Sequence, residues 1–226
     1  MEHPILVSGP LIQPIQQDLK TVTRRLARLG VINHVHNGTK LGDWALSEFL
    51  GMEGREAKWR LQAEVDSSIS ASILCPYGQP GDRLWVRENW WAHKRLDDKK
   101  PAEIYPQDIE PLAADLLPRY GYMADGPVPD YGGKVRPSIH MPRWISRITL
   151  EVTSIGLEHL QDISVEDMKA EGVEVRQMSL YGLTAEEQRK VYLYAFQNLW
   201  TEINDEASWN LNPWVWVIRF KRLTNV

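Results

Sequence analysis

A lysine and a threonine three residues apart, followed by arginines, are the first side chains in this sequence that could do chemistry. The segment reads Lys20-Thr21-Val22-Thr23-Arg24-Arg25, with Arg28 close behind. A threonine hydroxyl is a poor nucleophile unless a base removes its proton, and a lysine amine can be that base only when burial or nearby cations lower its pKa. The same cluster could equally hold a phosphate, or be a solvated basic turn.

A carboxylate far along the chain is the second candidate. Glu171 is expected at the end of a helix, directly before Gly172. A carboxylate at that end meets the negative pole of the helix dipole, which favours its protonated form and makes it a candidate acid or base. A solvated surface glutamate is the alternative.

Aromatic and charged residues are interleaved in two further places. The strand-like segment 83–88 leads to Glu88 and Trp90, which could flank a pocket or simply end a strand. Arg143 and Trp144 are adjacent in a second basic segment. A ring that stacks on a base beside a guanidinium that holds phosphate suits a nucleotide, whereas a basic loop with one buried tryptophan is the alternative.

Motifs for metals and cofactors are not evident. His34 and His36 are the only close pair among the six histidines, and no carboxylate or cysteine completes a metal-site pattern. A Walker loop, Gly-x-Gly-x-x-Gly and Gly-x-Ser-x-Gly are all missing from the sequence. We therefore expect neither a metal nor a cofactor.

The composition limits the class of protein. The 226 residues are 43% hydrophobic and 25% charged, which is ordinary for a soluble globular protein. No apolar run reaches the roughly 18 residues of a membrane span, and no signal-peptide pattern is visible, so we expect no membrane partner and a cytoplasmic location. The single cysteine, Cys75, excludes an intrachain disulfide. With a net charge of −4, binding to nucleic acid would need a local basic patch.

Periodicity and capping residues predict the elements that must position these groups. Apolar residues alternate in four predicted strands, at 58–65, 83–88, 146–155 and 213–223. Helices are expected to begin after Ser164 and after Thr184, each followed by an acidic residue three positions on. The second helix is expected to bury a stripe that includes Tyr194. A short helix is expected at 43–50, and 94–137 is expected to be a long irregular excursion.

The arrangement of these elements favours an α+β protein built on a small, mixed or antiparallel β-barrel. Segment 213–223 carries apolar residues on both faces. Such a strand needs neighbours on both sides or a closed sheet. Tryptophan is also over-represented, with 10 residues against 3 phenylalanines, and it suits cores, interfaces and base stacking.

Four segments, taken in order, resemble the ASCH domain family, a branch of the PUA-like superfamily. They lie at 20–25, 81–88, 167–173 and 212–218. In its tryptophan content and length the chain looks like the long ASCH proteins of tailed phages and prophages. The resemblance covers about half of the chain. It implies one PUA-like domain over residues 1–226, with insertions at about 30–80 and 94–137.

The resemblance implies a barrel whose cleft admits a nucleobase or nucleotide. Some members of the family are amidohydrolases that deacetylate N4-acetylcytidine, and others bind or cleave RNA. By motif position the catalytic residues would be Lys20, Thr23 and Glu171, acting as base, nucleophile and proton shuttle to the leaving amine. The nucleotide would be bound by Arg25, Trp85, Glu88, Trp90, Arg143 and Trp144.

Two features depart from the family pattern. Asp18 stands where the family usually has a small residue, and a carboxylate there would tend to raise the pKa of Lys20. The two insertions could also cover the cleft.

Three functional hypotheses follow from the sequence. The first is a nucleobase- or RNA-recognising protein with amidohydrolase activity on an N4-acylated cytidine. The second is a non-catalytic module that binds RNA or modified DNA. The third is a phage interaction or assembly factor, in which tryptophan-rich insertions bind a protein partner.

Overall fold

The structure, a computed structural model, describes residues 1–27, 44–54, 56–63, 70–109 and 118–224. Its strands are β1 (Glu2–Leu6), β2 (Val22–Leu26), β3 (Trp44–Glu53), β4 (Glu56–Ala63), β5 (Ser70–Cys75), β6 (Arg83–Arg87), β7 (Trp90–His93), β8 (Tyr120–Tyr122), β9 (Gly132–Arg136), β10 (Thr149–His159) and β11 (Trp214–Leu223). Its α-helices are α1 (Ile12–Gln16), α2 (Pro106–Ile109), α3 (Val165–Ala170), α4 (Ala185–Ile203) and α5 (Glu206–Asn210). The predicted α+β class is therefore confirmed.

The central sheet has five strands in the order β1-β6-β10-β11-β2. β1 and β6 are parallel, and the other neighbours are antiparallel. Within the described residues no sheet closes into a barrel through backbone pairing, which differs from the expected closed sheet. The two edge strands nevertheless meet through one side chain, because Arg25 Nη2 in β2 donates to the Leu6 carbonyl oxygen of β1 at 2.5 Å.

β11 is buried on both faces, as its apolar sequence predicts. Trp216, Ile218 and Phe220 face an apolar cluster that also contains side chains of β1, β6, β10 and α1. Val215 faces a second cluster, formed with α3, α4 and α5. The neighbours that such a strand needs are β10 on one side and β2 on the other. Each fully buried large side chain contributes about 1.5–3 kcal/mol, so β11 anchors both layers.

The two helix starts predicted from capping residues are confirmed. The Ser164 hydroxyl accepts from the Asp167 N–H at 3.1 Å, and Thr184 forms a reciprocal capping box with Glu187. The predicted buried stripe of α4 is right in part: Ala195 and Leu199 pack against the second cluster, whereas Tyr194 is exposed. The most buried residues of the helix are Tyr192, Phe196 and Trp200, since aromatic residues four apart share one helix face.

The first predicted insertion forms a sheet of its own, and the second adds two strands to β7. β3, β4 and β5 make an antiparallel meander, in which the strand expected at 58–65 is found as Glu56–Ala63. The helix expected at 43–50 was wrong: the segment is strand β3, because pairing along β4 outweighs its local propensity. In the second insertion β8 and β9 flank β7. None of the described helices is long and apolar enough to cross a membrane.

Candidate functional site

Lys20 is carried to the end of α3 by a tight turn after α1. Asp18 adopts a left-handed backbone conformation with φ 58°, and the Lys20 N–H returns to the Pro14 carbonyl at 3.0 Å. The Thr21 N–H donates to the Ala170 carbonyl at 2.9 Å, which ties this turn to the last residue of α3.

Glu171 lies directly after α3 and meets the Lys20 side chain. Gly172 follows with φ +90°, a conformation that favours glycine, so the predicted helix end is confirmed. Lys20 Nζ donates to Glu171 Oε2 at 2.5 Å and to the Glu171 carbonyl oxygen at 2.8 Å. The second bond satisfies a carbonyl at the end of α3 with a cation, which is also the favourable charge for that end of the helix.

The Lys20 amine is surrounded by acceptors in a buried site. A third bond runs from Nζ to the Val22 carbonyl at 2.9 Å, and only 2% of Lys20 and 4% of Glu171 is exposed. The three acceptors match the three protons of an ammonium group. Burial lowers the pKa of this ammonium, Glu171 opposes that effect, and Arg25 and Arg24 lower it further.

Asp18 does not act on Lys20 in the way the sequence suggested. Its carboxylate oxygens accept from Arg222 Nε and Nη2, both at 3.1 Å, in a side chain that is 60% exposed. An exposed, paired carboxylate is screened by solvent. Burial and Glu171 are the largest influences on the pKa of Lys20.

Thr23 lies next to this pair in sequence but faces the sheet interior. It stands opposite Ile218 in β11, so its side chain shares the face of the first apolar cluster, and 5% of it is exposed. Within the described residues, the hydrogen bonds of the Lys20 amine go to Glu171 and Val22 and not to Thr23. The structure thus joins Lys20 to Glu171 and leaves the Thr23 hydroxyl outside their hydrogen bonds.

Arg24 is a member of the site that sequence reasoning missed. It is 3% exposed, and it donates from Nε to Glu158 Oε1 at 2.7 Å and from Nη2 to Asp167 Oδ2 at 2.7 Å. Its Nη1 lies 3.4 Å from Glu171 Oε1. The available signal was strand alternation, which puts Arg24 on the face of β2 opposite to Thr23 and Arg25.

Salt bridges link Lys20, through Arg24, to the protein surface, and we call these linked residues the charge chain. Arg219 donates to both oxygens of Asp167, at 2.7 and 2.8 Å. Burial alone would raise the pKa of Asp167, but its bonds to Arg219 and Arg24 lower that pKa below its ordinary value. The chain consists of three cations and three carboxylates: Lys20, Arg24, Arg219, Glu158, Asp167 and Glu171.

Trp85 and Arg143 lie together, but away from the Lys20 site. Trp85 follows core-facing Leu84 in β6 and therefore points to the opposite face of the sheet from Thr23. The guanidinium carbons of Arg87 and Arg143 lie 5.0 and 5.8 Å from its ring centroid. Arg143 also donates to both carboxylate oxygens of Glu2, at 2.9 and 3.1 Å. Trp144, the next residue along, is 36% exposed.

Trp90 and Glu88 are buried. Trp90 has no exposed surface and packs in a third apolar cluster with Met141, so it offers no face on which a base could stack. Glu88 is 1% exposed and accepts from Arg147 Nε and Nη2, both at 2.9 Å. Burial raises the pKa of Glu88, and Arg147 opposes that effect. Glu88 also lines a pocket of about 410 Å³ beside Gln13.

The tryptophans proposed for protein docking are only partly described. Trp59 in β4 is half-buried and packs against the first apolar cluster. The side chain of Trp44 lies outside the described residues.

Metal binding is the remaining chemistry that the sequence raised. The part of the chain that the structure describes holds no group of three His, Cys, Asp or Glu residues that could bind a metal ion, and His34 and His36 lie outside it.

Comparisons with protein-family models, curated proteins and solved structures found no match. The ASCH resemblance therefore rests on its four sequence segments.

Proposed function

We propose that this chain is an ASCH protein of the PUA-like type that recognises a nucleobase and hydrolyses the amide of an N4-acylated cytidine. The observation that carries the proposal is the contact between Lys20 and Glu171, which are 151 residues apart in sequence and 2.5 Å apart in the structure. The arginine link between the edge strands β1 and β2 supports a barrel-like sheet. Such a protein would act in the cytoplasm, of the host cell if a phage encodes it.

The first half of the proposed reaction transfers the acyl group to Thr23. Lys20 Nζ first loses a proton to solvent, which leaves a neutral amine beside the Glu171 carboxylate. The amine then takes the Thr23 proton while Thr23 Oγ forms a bond to the acyl carbon. As the carbon–nitrogen bond breaks, that proton passes from Lys20 through Glu171 to the leaving N4 nitrogen, so cytidine departs and the neutral amine is restored.

The second half releases the acyl group as a carboxylic acid. The neutral Lys20 amine takes a proton from water as the water oxygen attacks the ester. That proton passes from Lys20 through Glu171 to Thr23 Oγ as the ester bond breaks. The burial that lowers the pKa of Lys20 supports this cycle, because it reduces the cost of forming the neutral amine. Thr23 must also come within hydrogen-bond reach of Lys20 when substrate binds.

The test is the conversion of N4-acetylcytidine to cytidine, followed by chromatography. We expect turnover by the native protein and at least about a 100-fold loss in Lys20→Met, Thr23→Val and Glu171→Gln, because each removes a proton-transfer or nucleophilic group. Lys221→Met is the matched control, since that lysine is 59% exposed and pairs with Glu151. Absence of turnover by the folded native protein, or equal turnover by Lys20→Met, would contradict the proposal.

The surface around Trp85 supports a second candidate function, binding of RNA or modified DNA without catalysis. Two arginines over one half-buried tryptophan can combine base stacking with phosphate contacts. Fluorescence anisotropy with single- and double-stranded probes should then show affinity that falls as salt rises. The double variant Trp85→Ala/Arg143→Ala should weaken binding, and Trp209→Phe, a buried control, should not. Salt-insensitive or undetectable binding would eliminate this candidate.

A further inference from the structure

Arg24 touches the proposed catalytic pair although the motif Lys20-x-x-Thr23-x-Arg25 leaves its position open. The two oxygens of Glu171 are divided between neighbours, with Oε2 at 2.5 Å from Lys20 Nζ and Oε1 at 3.4 Å from Arg24 Nη1. The opposite end of the guanidinium group is fixed by Glu158 and Asp167. Arg24 therefore has one orientation, and that orientation keeps Glu171 Oε2 directed at Lys20.

We propose that Arg24 is a positioning residue that holds Glu171 against Lys20 and promotes loss of the proton from the Lys20–Glu171 pair. The inference rests on the proposed function. Its physical basis is charge: the protonated pair is neutral, and the deprotonated pair carries one negative charge. A fixed cation beside the pair stabilises the negative form, and it does so strongly because the site is buried.

The other charges around the pair determine how large this effect is. Glu158 and Asp167 face Arg24 and partly neutralise it, while Arg219 neutralises Asp167 from the other side. Arg25, on the opposite face of β2, also lowers the pKa of Lys20. Removing Arg24 leaves two cations against three carboxylates in the charge chain, and this negative excess would hold the proton on Lys20.

The pH titration of Lys20, followed by NMR of isotope-labelled lysine side chains, tests the inference without any substrate. Arg24→Gln should raise the midpoint of the Lys20 titration by about one pH unit. Glu158→Gln should lower it, because Arg24 is then less neutralised. Arg24→Lys, which restores the charge, should recover part of the difference. Lys221→Gln is the control, since that exposed lysine pairs with Glu151 outside the charge chain, and it should leave the midpoint nearly unchanged.

Two outcomes would overturn the role of Arg24. One is an unchanged midpoint in folded Arg24→Gln, and the other is a rise of the midpoint in Glu158→Gln. If Arg24→Gln does not fold, the Glu158→Gln result decides alone, because an isosteric change at a 29% exposed side chain should be tolerated. Shifted midpoints in a protein that does not hydrolyse N4-acetylcytidine would refute the proposed function and leave the effect of Arg24 on the pair intact.

Discussion

Two arginines bind the carboxylate of Asp167, whose side chain is 10% exposed. Asp167→Asn should cost about 1.5–3 kcal/mol at pH 7, since it weakens the charged hydrogen bonds from Arg24 and Arg219 while Arg24 keeps Glu158 as a partner. The folded-state pKa lies below the ordinary value of 3.8. The stabilisation is therefore complete above pH 3.8 and is lost as the pH falls through the folded-state value.

Urea unfolding at pH 7 and at pH 3 measures this difference. The gap in unfolding free energy between the native protein and Asp167→Asn should narrow at pH 3, because below pH 3.8 the unfolded chain binds a proton at Asp167 more readily than the native state does. Asp18→Asn, which alters an exposed pair with Arg222, should have a much smaller effect at both values. A gap that is equal at the two pH values would show that Asp167 does not stabilise the fold through its charge.

The candidate site was only partly predictable at this scale. The resemblance of sequence segments pointed to Lys20 and Glu171, which do meet, because such segments carry information about contacts distant in sequence. Trp90 was expected to bind a base and Arg24 was missed, because the burial of each depends on which face of a short strand meets the core. A single sequence does not reveal that face when charged and apolar residues both occur on it.

Helix α3 is the element that carries Asp167 and Glu171, so its start should influence the site. Ser164→Ala removes the hydroxyl that accepts from the Asp167 N–H, and we expect a loss of about 1 kcal/mol. Thr184→Ala at the start of α4 should cost a similar amount. Only Ser164→Ala should also shift the NMR signals of the Lys20 side chain. If the Lys20 side-chain signals were the same in Ser164→Ala and Thr184→Ala, the Ser164 cap would not position the Lys20–Glu171 pair.

The predictability of the elements depended on how strong their local signals are. β11 was predicted from an apolar segment with residues on both faces, and α3 and α4 from capping residues, which are local interactions. β3 was mistaken for a helix because its conformation is determined by pairing with β4, a contact its own sequence does not encode. In α4 the apolar residues permit two stripes, and packing against Val215 and Trp209 selects the one through Phe196.

On the scale of the whole molecule, the bond from Arg25 to the Leu6 carbonyl is what joins the two edges of the central sheet. Arg25→Met should reduce overall stability by about 1 kcal/mol or less, because the bond is at the surface. It should increase amide hydrogen exchange in β1 and β2 more than in β10 and β11, which have neighbours on both sides. Uniform exchange across these four strands would show that the link does not hold the edges together.

Acyl transfer to Thr23 is the central claim, and mass spectrometry of the quenched reaction tests it most directly. The native protein is mixed with N4-acetylcytidine, quenched early and digested with trypsin. We predict one acetyl group on the peptide that contains Thr23, released cytidine in the same sample, and neither product with Thr23→Val. Free cytidine without an acetylated peptide, no product at all, or the same products from Thr23→Val would contradict the proposed role of Thr23.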